Sequence, residues 1–194
     1  MKEHPIYMSE EEIRAILEKK KTQKRILVKG NALKMLTICT PDVIVRDMPK
    51  YHIGDRLYVK ETFKIAEGVT INGVSPVIYK AECSGFALAN IDNWKSPIFM
   101  PRKLSRITLE ITDIRVERVQ DVSVQDAKDE GIRVHANGCK DGLAYGCYNG
   151  DECVNNVCRQ PIEYYKQIWN SLNAKRGFSW ESNSWVWVIS FKVV

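Results

Sequence analysis

Six of the twelve residues from Glu18 to Lys29, EKKKTQKRILVK, are cationic: Lys19, Lys20, Lys21, Lys24, Arg25 and Lys29. So dense a run repels itself unless an anion sits among the charges, and the chemistry it offers is the binding of a phosphate-bearing ligand. A plainer role is open to the same lysines, because cations at the end of a helix are solvated and offset the negative end of its dipole. A second stretch offers different chemistry. Cys139, Cys147, Cys153 and Cys158 fall within twenty residues at spacings C-x7-C-x5-C-x4-C, while Cys39 and Cys83 stand alone. In a reducing cytoplasm such a cluster is read first as a zinc site, with His135 as a substitute ligand. Two-residue knuckles are missing, so disulfides and free thiols stay open. Zinc held by four protein ligands would be structural, since no position is left for water. No organic cofactor is expected.

These residues sit in a chain of 194 residues, 44% hydrophobic and 27% charged, enough to bury one core. We therefore expect one domain over 1–194. No run approaches the roughly 18 apolar residues of a membrane span, and the start, MKEHPIYMSEEE, lacks the apolar core of a signal peptide. A cytoplasmic protein with no membrane partner is expected. The net charge of +5 permits nucleic acid as a partner without requiring it.

The elements that must position the chemistry follow from local signals. Ser9-Glu10-Glu11-Glu12 is a capping box, with Met8 placed to staple onto Ile13. The helix it opens should end near Lys20 or Lys21, and Ile26-Leu27-Val28 reads as a strand leaving the basic corner. Residues 30 to 50 read as loop. Arg56 to Phe63, RLYVKETF, predicts a strand with Leu57, Val59 and Glu61 on one face. A carboxylate on a core-directed face must meet a cation or donors, unless it lies at the strand end and reaches water. Val77 to Ala81 is a further strand.

Arg102, Ser105 and Arg106 give a cationic entrance to a long strand in which Ile107, Leu109 and Ile111 alternate. The phase changes at Thr112-Asp113 before Ile114 and Val116, which predicts a bulge. Ser123 is an N-cap and Gly131 a C′ residue for a short helix with Asp129 and Glu130 at its end. Carboxylates there oppose the dipole, so something else should favour them. Residues 133 to 160 form a Cys-rich insertion. Pro161 opens a helix carrying Ile162, Tyr165, Ile168, Trp169 and Leu172, and Trp185 to Val194 is apolar on both faces, as a central strand is. Trp185 and Trp187 are read as core. The fold class is α+β, a curved sheet or small barrel with flanking helices.

Together, Lys19-Lys20-Lys21-Thr22 after a helix, the Gly54-Asp55 turn, the I-x-L-x-I strand and the D-A-x-x-E-G helix resemble the ASCH domain of the PUA-like superfamily. RLYVKETF, MPRKLSRITLEI, DAKDEGI and WNSLNAKRGFSWESNSWVWVISF resemble uncharacterised proteins of that group encoded by phages and prophages. The resemblance covers nearly the whole chain outside the insertion. It implies a PUA-like pseudo-barrel with a nucleic-acid or modified-nucleotide ligand, RNA or a modified base, held between the sheet and the first helix. Some members are small 4-acetylcytidine amidohydrolases, in which a lysine at the K-T step, a threonine three residues on and a glutamate on the later helix act together. By position these are Lys21, Lys24 and Glu130. Lys24 is a departure, a cation in place of a hydroxyl.

Amide cleavage needs a base or nucleophile that is neutral at working pH, and a group to pass a proton to the leaving nitrogen. Lysine serves only if its pKa falls from about 10.4, which Lys20, Lys24 and Arg25 would promote and an ion pair with Glu130 would oppose. Binding asks less: cations for phosphate, from Lys21, Lys24, Arg25, Arg102 and Arg106, an aromatic to stack, Trp94 or Tyr58, and a few polar groups for a base edge; Glu61 and Ser105 are further candidate ligand-binding residues. Three roles stay open: nucleic-acid or nucleotide binding, hydrolysis of an acylated cytidine, and capture of a host protein partner.

Overall fold

A proline in the third residue of the five-residue strand β1 (Glu3–Tyr7) sets where that strand can lie, because Pro5 has no N–H to give a neighbour on both sides. In the computed structural model, which describes residues 1–47, 49–66, 76–83, 91–132, 134–135, 144–145 and 161–194, β1 pairs in parallel with β3 (Arg56–Lys60) and lies at the sheet edge. Between them come α1 (Glu10–Leu17), β2 (Gln23–Leu27), α2 (Gly30–Met35) and α3 (Pro41–Asp47). After β3 follow β4 (Phe63–Ile65), β5 (Val77–Tyr79), β6 (Thr108–Arg118) and α4 (Val124–Asp129). The chain closes with the short pair β7 (Val134–His135) and β8 (Ala144–Tyr145), α5 (Pro161–Asn173) and β9 (Trp185–Val193). The class is α+β, with mostly antiparallel pairing and flanking helices.

The chain divides into two compact units. The first comprises 1–18, 54–111 and 192–194. Its strands run in the order β1, β3, β6, with β3 and β6 antiparallel. Ile6, Leu57, Val59, Leu109 and Ile111 are buried on one face, as strict alternation requires. Each such side chain removed from water contributes roughly 1.5–3 kcal/mol. The Ser9 capping box of α1 is formed in full, and the helix buries Ile13 and Ile16.

The second unit comprises 19–53 and 112–191. Here β2 pairs antiparallel with β9, and Val186, Trp187, Val188 and Ile189 of β9 are all buried. Tyr165 and Trp169, one turn apart on α5, join Leu27, Val119, Val122, Ala127, Trp180 and Val188 in the core. Trp169 donates its indole N–H to the Phe178 carbonyl at 2.9 Å. Trp187 is core as expected, whereas Trp185 is half-buried with the Arg118 guanidinium 4.0 Å from its ring.

Several expectations meet a different outcome. The first helix stops at Leu17, short of Lys20, because Lys19 adopts φ +58°, outside helical space. Residues read as loop contain α2 and α3. Helix α2 buries none of its residues, so it left no apolar period to find. In β6 the phase change is present: Leu109 and Ile111 are buried, Thr112 and Asp113 are both exposed, and Ile114 and Val116 are buried again.

Candidate functional site

Lys21 is brought to its place by backbone pairing on both sides. It forms an isolated antiparallel bridge with Glu130, the next residue Thr22 donates its N–H to the Asp129 carbonyl at 2.8 Å, and the Thr22 carbonyl accepts from Phe191 at 2.8 Å. Glu130 is set by its own helix. Ser123 caps α4 in a complete capping box with Asp126, and the helix ends at Glu130 with Gly131 at φ +91°.

The side chains of this meeting point are nearly closed to water. The Lys21 ammonium donates to the Glu130 carbonyl at 2.9 Å and to its Oε2 at 2.8 Å, with side-chain exposures of 1% and 8% for the two residues. The Arg25 Nη1 donates to Glu130 Oε1 at 3.3 Å and its Nη2 to Glu117 Oε1 at 2.6 Å. Arg115 spans Glu117 Oε2 at 2.8 Å and Asp126 Oδ1 at 2.7 Å, and Gln23 Nε2 also donates to that Asp126 oxygen at 3.1 Å. Three cations, Lys21, Arg25 and Arg115, thus meet three carboxylates, Glu117, Asp126 and Glu130. Glu130 at the helix end is favoured by two cations, which answers its conflict with the dipole.

Burial opposes the Arg25 charge, but Tyr165, Glu130 and Glu117 more than offset it and hold its pKa above the ordinary value. Burial likewise pushes the Asp126 carboxyl up, and hydrogen bonds from Ser123, Gln23 and Arg115 outweigh it, so the carboxyl titrates far below its ordinary range. Arg25 Nε is buried and makes no hydrogen bond among the described residues. An acceptor reaching it would relieve a cost of about 1–3 kcal/mol.

Lys24 is placed differently. Side chains alternate along β2, and Gln23, Arg25 and Leu27 are buried while Lys24 and Ile26 are half-buried on the opposite face. The residue that departs from the hydroxyl pattern therefore does not share the face that holds Arg25.

The other proposed ligand residues belong to the first unit. Glu61 is buried, 2% exposed, and takes a two-pronged pair from Arg106, Nε to Oε1 at 2.8 Å and Nη2 to Oε2 at 3.0 Å. Arg106 also meets Glu82 and lies 4.1 Å from the Tyr79 ring centre. Ser105 donates to the Val59 carbonyl at 2.7 Å, a tie within the fold. Arg102 has other partners, Glu3 at 2.9 and 3.0 Å and the Tyr58 ring at 5.2 Å. Trp94 is half-buried.

Cys139, Cys147, Cys153 and Cys158 lie outside the described residues, as does most of the insertion. Among the described residues no group of three or more His, Cys, Asp or Glu is placed to hold a metal ion, and Cys39 and Cys83 are free. No described helix is long and apolar enough to cross a membrane.

Sequence reasoning missed Glu117 and Asp126 as carboxylate partners of Arg25, and Arg115 and Gln23 as the groups that hold those carboxylates. A faint signal existed, since Gln23 and Arg25 share one face of β2, and Arg115 and Glu117 one face of β6, by the two-residue period.

No protein-family model matches this chain, and no curated protein matches it. Two solved structures are similar to it. The ASCH domain from Lactobacillus crispatus JV V101 aligns with 99% of this chain and 79% of its own, at 12% identity and a TM-score of 0.41. Protein EF3133 from Enterococcus faecalis V583, of the DUF984 family, aligns with 93% of this chain and 65% of its own, at 9% identity and a TM-score of 0.40.

Proposed function

We propose that the chain is a nucleic-acid or modified-nucleotide-binding protein of the ASCH/PUA-like kind, and that the Lys21, Arg25 and Glu130 cluster reads the edge of a base. The supporting observation is the meeting of Lys21 and Glu130 at 2.8 Å, which joins the two positions that the sequence resemblance pairs. The cluster carries as many carboxylates as cations, which suits a neutral ligand with donors and acceptors better than a phosphate. A base edge would have to displace part of the buried Lys21–Glu130 pair, exchanging hydrogen bonds with it and offering an acceptor to Arg25. Calorimetric titration with a panel of modified nucleosides, nucleotides and short RNAs tests this reading. Binding that weakens at least tenfold in Lys21→Ala and Glu130→Gln is expected, and affinity unchanged in both variants would refute it.

A second reading is favoured by the same pair. Lys21 and Glu130 are the lysine and glutamate that an amidohydrolase of acylated cytidine would use. Water would add to the acyl carbon as its proton passes to Glu130, and the exocyclic nitrogen would leave protonated, giving cytidine and acetate from 4-acetylcytidine. Paired with Glu130, the Lys21 ammonium would polarise the carbonyl rather than attack it. Chromatography of 4-acetylcytidine incubated with the protein should show cytidine, with both variants inactive; full activity in both would remove the mechanism.

A further inference from the structure

The sheet of the first unit has a second face, opposite its buried one. Alternation that buries Ile6, Leu57, Val59 and Leu109 turns Glu3, Pro5 and Tyr7 of β1, Arg56, Tyr58 and Lys60 of β3, and Thr108 and Glu110 of β6 the other way. The registers align them in rows: Glu3, Arg56 and Glu110; Pro5, Tyr58 and Thr108; then Tyr7 beside Lys60.

Two short turns add to this face. One carries Arg102 onto it, where the guanidinium pairs with Glu3 and lies 5.2 Å from the Tyr58 ring centre. The other, Pro97–Phe99, is tied down by Lys60, whose ammonium donates to the Ile98 carbonyl at 2.8 Å while standing 5.5 Å from the Tyr7 ring centre. Tyr7, beside Lys60, is 50% exposed, and Phe99, at the end of that turn, is 74% exposed. Four cations, Arg56, Lys60, Arg102 and the Lys192 that reaches Glu110 at 2.9 Å, stand against two carboxylates, Glu3 and Glu110.

We propose that this face is a platform for a single-stranded nucleic acid, with bases stacked on Tyr7, Phe99 and the Arg102–Tyr58 pair and phosphates tracked by Lys60 and Arg56. Rings interleaved with cations on an open sheet suit unpaired bases, each of which offers a flat face wherever the backbone passes a positive charge. A duplex hides those faces and cannot use the rings. The proposal rests on the nucleic-acid reading for its class of ligand and lies on a different unit from the base-reading cluster.

Fluorescence anisotropy of the full chain with an eight-nucleotide single-stranded RNA, and with the same sequence in a duplex, tests it. The single strand should bind more tightly than the duplex. The double variant Tyr7→Ala/Phe99→Ala, which removes two exposed rings, should lose about tenfold or more. Lys60→Gln should reduce the slope of log affinity against log salt by about one unit. Ultraviolet cross-links should map to peptides holding Tyr7, Tyr58 or Phe99. Single-strand affinity within twofold of the parent in the double variant, equal affinity for duplex, or cross-links confined to other peptides would overturn the platform. Failure of the base-reading cluster is distinguishable, since it appears as nucleoside affinity indifferent to Glu130→Gln while the strand assay is unchanged.

Discussion

Lys21 and Glu130, 109 positions apart, are joined by backbone and side chain together: a bridge pairs their main chains, and the Lys21 ammonium reaches both the carbonyl and the carboxylate of the same partner. The main chain sets the distance and the side chains set the charge. A shift in the position of α4 against this segment would break both sets of bonds at once.

The two halves of that pair should differ in what their removal costs. Lys21→Met leaves Glu130 with Arg25, so a loss of about 2 kcal/mol is expected, below the roughly 3–5 kcal/mol of an unpaired buried charge. Glu130→Gln removes the carboxylate that Lys21 and Arg25 share, while Arg25 keeps Glu117, and should cost about 3 kcal/mol. Urea denaturation of both variants measures the order, and a greater loss in Lys21→Met would contradict it.

Acid should weaken the second unit through Asp126. Its carboxyl has a folded pKa below the ordinary 3.8, so its stabilising contribution is complete above about pH 4 and disappears as pH falls through the folded value. Urea midpoints should be level from pH 7 to about 5 and decline below 4. In Asp126→Asn the acid decline should be shallower, and an identical decline would assign the effect to other groups. Ser123→Ala, which removes the helix cap and a hydrogen bond to Asp126, should cost about 1 kcal/mol at pH 7.

In the first unit, Arg106 is the counter-charge of a carboxylate with almost no access to water. Arg106→Ala should destabilise by about 3 kcal/mol or more, because Glu61 would be left buried and unpaired. Arg106→Lys keeps the charge and loses the two-pronged geometry, so it should recover only part of the loss. Thermal unfolding of the two variants gives the comparison. Equal stability would mean that the fork contributes nothing beyond its charge.

If the Lys21 and Glu130 cluster reads a base, Lys24 should affect phosphate attraction alone. Since it lies on the face of β2 opposite Gln23 and Arg25, Lys24→Ala should leave nucleoside affinity within about twofold while lowering the salt sensitivity of RNA binding by about one unit of slope. A large loss of nucleoside affinity would place Lys24 in the base-reading cluster.

Local signals carried much of the fold. Ser9, Ser123, Gly131 and Pro161 marked helix ends because caps and prolines act within a few residues, and the phase change at Thr112-Asp113 was visible because burial alternates along one strand. β1 went unread because Pro5 argues against a strand until its edge position is known. Of the candidate residues, the meeting of Lys21 with Glu130 was legible through a resemblance, and the need of Glu61 for a counter-charge through its place on a core-directed face. Arg115, Glu117 and Asp126 were not. Each looks like an ordinary surface charge in sequence, and only the placing of β2, β6 and α4 turns them into neighbours.

Among the described residues, the equality of three cations, Lys21, Arg25 and Arg115, and three carboxylates, Glu117, Asp126 and Glu130, has an electrostatic consequence at range. A set of charges that sums to zero has no monopole, so its field decays as a dipole or faster and is weak a few ångströms outside the cluster. A neutral ligand of the proposed kind would not be drawn to Lys21 and Glu130 from a distance; it would be selected by shape and hydrogen bonding. Encounter rates at this cluster should therefore be those of an uncharged pair, almost indifferent to ionic strength.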